Sequence, residues 1–145
     1  MKTYLITGCA GFIGSNFVHY MLKKYPEILL VNLDKLTYAG NLENLQDIED
    51  DARHIFVQGD ICDKELVESL FAKYDFDYVI NFAAESHVDR SIKNPEIFVQ
   101  SNVMGTVNLL QRAKEAWYDA DAKTWKEGKK YLQVSTDEVL SLIHI

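Results

Sequence analysis

At 145 residues, 48% hydrophobic and 12% aromatic, the chain can bury one proper core, and two domains would strain its length. A net charge of −7 argues against nucleic acid or an anionic membrane surface as the main partner, since both recruit clustered Lys and Arg. No signal peptide or long apolar span is visible, and Cys9 and Cys62 lack neighbours at metal spacing, so a reducing cytoplasm is expected and no metal site is.

Lys2 to Thr7 reads as a buried strand running into Gly8-Cys9-Ala10-Gly11-Phe12-Ile13-Gly14 and then a helix over residues 12 to 24, stopped by Pro26. Phe12, Ile13, Phe17, Val18, Met21 and Leu22 recur at helical spacing and predict its buried face. Ile28 to Leu33 is a second strand ending at Asp34. Residues 35 to 52 lack strong periodicity and read as a loop with one short helix. His54 to Gln58 is a third strand leading to Gly59-Asp60. Asp63 then caps a helix carrying Leu66, Val67, Leu70, Phe71 and Tyr74 on one face.

Asp77 to Phe82 gives a fourth strand, followed by a polar loop through Ser91. Asn94 and Pro95 open a long helix to about Trp117, with Phe98, Val99, Val103, Val107, Leu110 and Ala113 as its apolar stripe. Tyr118 to Lys130 reads as a surface connection, and Tyr131 to Ser135 as a fifth strand leading to Thr136-Asp137-Glu138. Strands alternating with helices imply an α/β fold, a doubly wound parallel sheet with right-handed crossovers. Its second mononucleotide half is incomplete. The expectation is a Rossmann-type domain over residues 1–139, truncated after about the fifth strand, with an anomalous tail over 140–145 and no C-terminal substrate domain.

The glycine loop carries the first chemical signal. Gly8, Gly11 and Gly14 allow a tight turn, close approach of backbone to a pyrophosphate and close helix packing, while the first helical turn offers free N–H groups to an anion. Asp34 stands where an acidic side chain accepts hydrogen bonds from an adenosine ribose, and its charge favours NAD over NADP. Lys35 opposes that inference if it reaches a 2′-phosphate; a solvated lysine is the preferred reading. Asp137 and Glu138 suit an acid/base couple at a strand end, although spacing alone favours an Asp cap beside a solvated Glu. His87 with Asp89 reads as a structural group before an acid/base pair. Arg90 is open between meeting a phosphate and pairing with Asp89.

The longer first gap of the glycine motif resembles the extended short-chain dehydrogenase/reductase superfamily. Residues Asp34 to Asn41, Ala83 to Ser91 and Ser135 to Val139 narrow the likeness: all three resemble the dTDP-glucose 4,6-dehydratase family, over residues 1 to about 139. The resemblance implies that Phe12 and Ile13 lie against the cofactor pyrophosphate and that Asp34, Lys35, Leu36 and Thr37 surround the adenosine ribose. It further implies that Asp60 and Ile61 hold adenine, Ala83 and Ala84 line the cofactor channel, and Ser86 touches the hexose.

By the same resemblance Thr136 binds the sugar 4-hydroxyl, Asp137 is the general acid and Glu138 the general base. NAD is the implied cofactor, dTDP-glucose the substrate and a homodimer the assembly of the longer parent. The Tyr-x-x-x-Lys pair that the family supplies later, beyond its Ser-Thr-Asp-Glu-Val motif, does not follow that motif here, so the chain alone is expected to be inactive. Two alternatives stay open: another extended enzyme, such as an epimerase or decarboxylase, or a noncatalytic NAD-binding module.

Overall fold

Residues 1–135 are described by a computed structural model. Strand β1 (Lys2–Thr7), helix α1 (Phe12–Lys24) and strand β2 (Ile28–Asp34) form the first crossover unit. A 3₁₀ helix (Leu42–Ile48), strand β3 (His54–Gln58) and helix α2 (Lys64–Lys73) follow, then strand β4 (Tyr78–Asn81). Short helices α3 (Val88–Lys93) and α4 (Pro95–Phe98) lead through a π-helical stretch (Val99–Gly105) into α5 (Thr106–Trp117). Strands β5 (Tyr118–Asp119) and β6 (Thr124–Trp125) make a small hairpin before β7 (Lys130–Gln133).

The main sheet has the order β3-β2-β1-β4-β7, with every neighbouring pair parallel. The chain builds outward from β1 through β2 to β3, then crosses back to lay β4 on β1's other edge. That reversal puts a topological switch point between β1 and β4, where an open α/β sheet leaves a crevice beyond the strand ends.

Both faces of the sheet are covered, which is why β2 reads as an almost unbroken apolar run. Leu5, Val31, Leu33 and Val79 pack under α2 and α5 with Val67, Leu70, Leu109, Ala113 and Trp117. Ile6, Ile28 and Leu30 pack on the opposite face with Val18, Met21, Leu22 and Leu45. Neighbours in β1, such as Leu5 and Ile6, therefore serve opposite cores, and each fully buried aliphatic side chain contributes about 1.5–3 kcal/mol. Asp63 caps α2 by accepting from the Leu66 amide at 3.0 Å, and the Trp117 indole donates to the Phe76 carbonyl at 3.0 Å.

Four expectations need correction. Phe12 and Ile13 are not on the buried face of α1: they are 82% and 64% exposed, and the residues that the first turn buries are Gly14 and Ser15. The stripe expected on the long helix is largely the wrong one. Val99, Val103, Val107 and Leu110 face outward, whereas Gly105, Asn108, Leu109, Ala113 and Trp117 are buried. Two stripes share that helix, and the packed one is disguised by a glycine and an asparagine. Finally, the 118–130 connection contains the β5–β6 hairpin, and the polar loop after β4 turns helical already at Val88.

Candidate functional site

The glycine loop starts at Gly8, whose φ of +67° lies in the left-handed region. A Cβ there would stand 2.7 Å from the Ala83 amide nitrogen, so the close approach of β1's exit to β4's exit requires glycine. At Gly14 a Cβ would overlap the Gly8 carbonyl oxygen, which lets α1 start directly against the turn. No side chain caps α1. Its first-turn amides, with the positive end of the helix dipole, are thus left for an external anion.

Asp34 closes this loop from the next strand. One carboxylate oxygen accepts from the Ala10 amide at 2.8 Å and the other from the Leu36 amide at 2.8 Å. The Ala10 carbonyl in turn accepts from the Asn41 amide at 3.1 Å and the Asn44 side chain at 2.9 Å. Ala10 therefore joins the glycine loop to the segment after β2. Leu36 takes a φ of +57° there and turns its side chain into the α1-side core.

At the tip of β3, Asp60 accepts from the Cys62 amide at 2.9 Å and pairs with Lys35 at 2.7 Å. Burial raises the Asp60 pKa, but the Lys35 ammonium and the Cys62 N–H outweigh it and hold the carboxyl below its usual range. The same hydrogen bond raises the Lys35 pKa, against partial burial. Lys35 is accordingly engaged with Asp60 while its side chain stays largely exposed to solvent. Burial pushes the Cys62 thiol up to about 11 and lifts Cys9 well above the ordinary thiol range, so neither is poised as a thiolate nucleophile.

Behind the glycine loop, the Thr7 hydroxyl bonds Asn81, whose amide also reaches Gln133 at 2.9 Å, so the exits of β1, β4 and β7 are fastened together. Glu85 is fixed through its main chain: its N–H donates to Asn102 Oδ1 at 2.8 Å and its carbonyl accepts from Asn102 Nδ2 at 2.8 Å. Arg90 neither pairs with Asp89 nor stands free. Its guanidinium lies 3.9 Å from the centre of the Tyr38 ring, against whose edge His87 also packs.

These elements enclose one open cavity of about 440 Å³, within the size of small-molecule sites. Gly8, Gly11, Phe12, Ile13 and Gly14 line it from the first loop; Asp34, Lys35 and Thr37 from the second; Asp60 and Ile61 from the third; Ala83, Ala84 and Ser86 from the fourth. Leu36 is the one expected cofactor residue outside this lining. Thr136, Asp137 and Glu138 lie outside the described residues. Sequence reasoning missed the Asn102 clasp, the Thr7–Asn81 tie and Ser101 in the cavity wall. Among the described residues no helix is long and apolar enough to cross a membrane.

The glycine cradle, uncapped helix and acidic tip of β2 fit a dinucleotide: open amides face where a diphosphate would lie, and Asp34 retains lone pairs for sugar hydroxyls.

Comparison with known proteins agrees with this geometry. A dTDP-glucose 4,6-dehydratase of Xanthomonas campestris pv. campestris (strain B100) is 52% identical over 139 residues, covering 96% of this chain and 39% of that protein. The crystal structure of dTDP-glucose 4,6-dehydratase from Bacillus anthracis str. Ames in complex with NAD superimposes with a TM-score of 0.78 at 43% identity, over 96% of this chain and 39% of that one. That of the Streptomyces venezuelae dTDP-glucose 4,6-dehydratase DesIV, also with NAD bound, gives 0.73 at 47% identity, over 79% and 36%. The chain thus spans about 39% of the length of such curated relatives. The model of the GDP-mannose 4,6 dehydratase family matches residues 5–140, and the chain belongs to that family.

Proposed function

We propose that this chain is the NAD-binding part of a sugar-nucleotide 4,6-dehydratase acting on dTDP-glucose. The observation that carries the reading is the convergence of four successive strand tips, with the glycine cradle and Asp34 fastened to each other, on one cavity. Phe12, Ile13 and the first-turn amides of α1 hold the diphosphate, and Asp34, Lys35, Leu36 and Thr37 surround the adenosine ribose, Leu36 through its backbone. Asp60 and Ile61 hold the base, and Ala83 and Ala84 flank the channel toward the nicotinamide. Residues 1–139 are the cofactor domain, and the hexose meets Ser86 and Thr136.

Bound NAD would supply a hydride acceptor for sugar C4 and, once reduced, a hydride donor for C6. The side chains handle protons: with C4 oxidised, the C5 proton is acidic and Glu138 removes it, while Asp137 protonates the C6 hydroxyl so that it departs as water; a proton then returns to C5 as hydride adds at C6. A 4-keto-6-deoxy sugar nucleotide results. Identity to dehydratases of 43–52%, against 27% to the UDP-glucose 4-epimerase of Bifidobacterium longum at an equal TM-score of 0.78, supports dehydration over epimerisation. The outward apolar side chains Val99, Val103, Val107 and Leu110 support a homodimer built on that helix. The reading is of a cytoplasmic enzyme in deoxysugar biosynthesis.

Incubating the intact parent polypeptide with dTDP-glucose and following the nucleotide sugar by mass spectrometry tests this. Loss of water without net oxidation is expected. Conversion only between epimers would reject it.

A further inference from the structure

We propose that Tyr38 and Arg90 form a strap across the mouth of the cavity that has to open before a dinucleotide enters or leaves; on the dinucleotide reading above, this contact sets the rate of cofactor exchange.

One half of the strap is the segment after β2. Asp34 accepts from the Leu36 amide at 2.8 Å, and the Asn41 amide donates to the Ala10 carbonyl at 3.1 Å, so both ends of residues 36–41 are tied down beside the glycine loop. Between these ties the Gly40 amide donates to the Thr37 carbonyl at 3.0 Å, closing a turn with Tyr38 at its tip. Thr37, Ala39 and Gly40 line the cavity, and Tyr38, half exposed, stands among them at its rim.

The other half is the segment after β4. Ala84 and Ser86 line the cavity, and His87, next in the chain, sets its ring edge-on to that of Tyr38, with 6.2 Å between centres and 82° between planes. Arg90, one turn further on in α3, lays its guanidinium 3.9 Å from the centre of the same ring. In the sheet β2 and β4 are not neighbours, because β1 lies between them. A contact between the segments that leave β2 and β4 therefore bridges the exit of β1, where the glycine loop offers its amides, and it closes that side of the cavity with a pair of side chains instead of backbone. Opening it costs little: α3 buries none of its side chains, so lifting it uncovers no core, and a cation–π contact at the surface is weak.

Stopped-flow measurement of NAD association and dissociation with the 145-residue chain, followed by protein fluorescence, tests the assignment in the wild type, in Tyr38→Leu, in Arg90→Ala and in the double variant. Each single variant is expected to raise both rate constants together, by about two- to fivefold, the worth of one surface cation–π contact, with little change in their ratio. The double variant is expected to be no faster than either single one, because each removes the same contact. Tyr38→Phe, which keeps the ring, is expected to exchange NAD as the wild type does, and far-UV circular dichroism separates these effects from loss of fold. Unchanged rates in a folded Arg90→Ala, additive single effects, or a rise in dissociation alone, the mark of a side chain that merely touches the cofactor, overturn the strap while leaving dinucleotide binding intact. Failure of the wild type to bind NAD overturns the cofactor reading and this inference together.

Discussion

The Ala10 amide donates to Asp34 Oδ2 at 2.8 Å, so the acid at the end of β2 holds the glycine loop at the end of β1. The two halves of the dinucleotide fingerprint are thereby one mechanical unit. Since Asp34 bonds the Leu36 amide with its other oxygen, removing the carboxylate strands two backbone donors, one of them on the fully buried Ala10.

Asp34→Ala is accordingly expected to lower folding stability by about 1–3 kcal/mol, the cost of unpaired buried donors. Asp34→Asn, which retains one accepting oxygen, is expected to fall between the two. Urea unfolding followed by tryptophan fluorescence checks the order.

At Gly8 the left-handed backbone and the nearby Ala83 amide act together. Gly8→Ala is expected to cost more than about 2 kcal/mol, from the conformational penalty plus the overlap. Gly40→Ala makes a useful contrast, because the atom its Cβ would meet first belongs to the Asp34 side chain. Thermal melts of the pair compare a backbone obstacle with a side-chain one.

Asp77 gives a pH signature away from the cavity. It accepts from the Thr3 amide at 2.9 Å and meets Lys2 at 3.2 Å and Lys129 at 3.5 Å, joining β1 and the approach to β7 at the base of β4. Burial raises its pKa, but the Thr3 N–H and the two ammonium groups prevail and hold it low. A carboxyl lowered on folding binds protons more readily in the unfolded chain, so its contribution is complete above the unfolded value of about 3.9 and vanishes as pH falls through the native one. The wild-type Tm is therefore expected to drop more steeply than that of Asp77→Asn below about pH 4, with the curves converging in acid. Parallel curves would remove Asp77 from the acid response.

The outward stripe on the long helix predicts self-association. Val103→Asp combined with Val107→Lys is expected to shift the sedimentation coefficient of the chain toward that of a monomer without altering its circular dichroism. A wild-type chain that already sediments as a monomer at high concentration would contradict a dimer on this face.

Much of this architecture was legible in the chain. The βαβ rhythm, the Asp63 cap and the glycine loop are written in local patterns, since strands buried on both faces need apolar runs and tight turns need glycine. Long-range polar ties were not. Asn102 meets Glu85 only after the helix has folded back over the sheet, and Lys35 meets Asp60 only because β2 and β3 are neighbours. Periodicity also failed on the π-helical stretch and α5, where Val103, Val107 and Leu110 form a better apolar stripe than the one that packs, because the packed side buries Gly105 and Asn108. Asn108 is accommodated by donating to the Ile61 carbonyl at 2.8 Å, a partner no spacing rule names.

Paired calorimetric titrations with NAD and NADP, in the wild type and in Asp34→Asn, bear most directly on the cavity as a dinucleotide site. The account predicts that the wild type binds NAD more tightly than NADP and that Asp34→Asn loses NAD affinity while narrowing the gap between the two. A folded wild type that ignores NAD, or an Asp34→Asn variant that binds both as the wild type does, would contradict it.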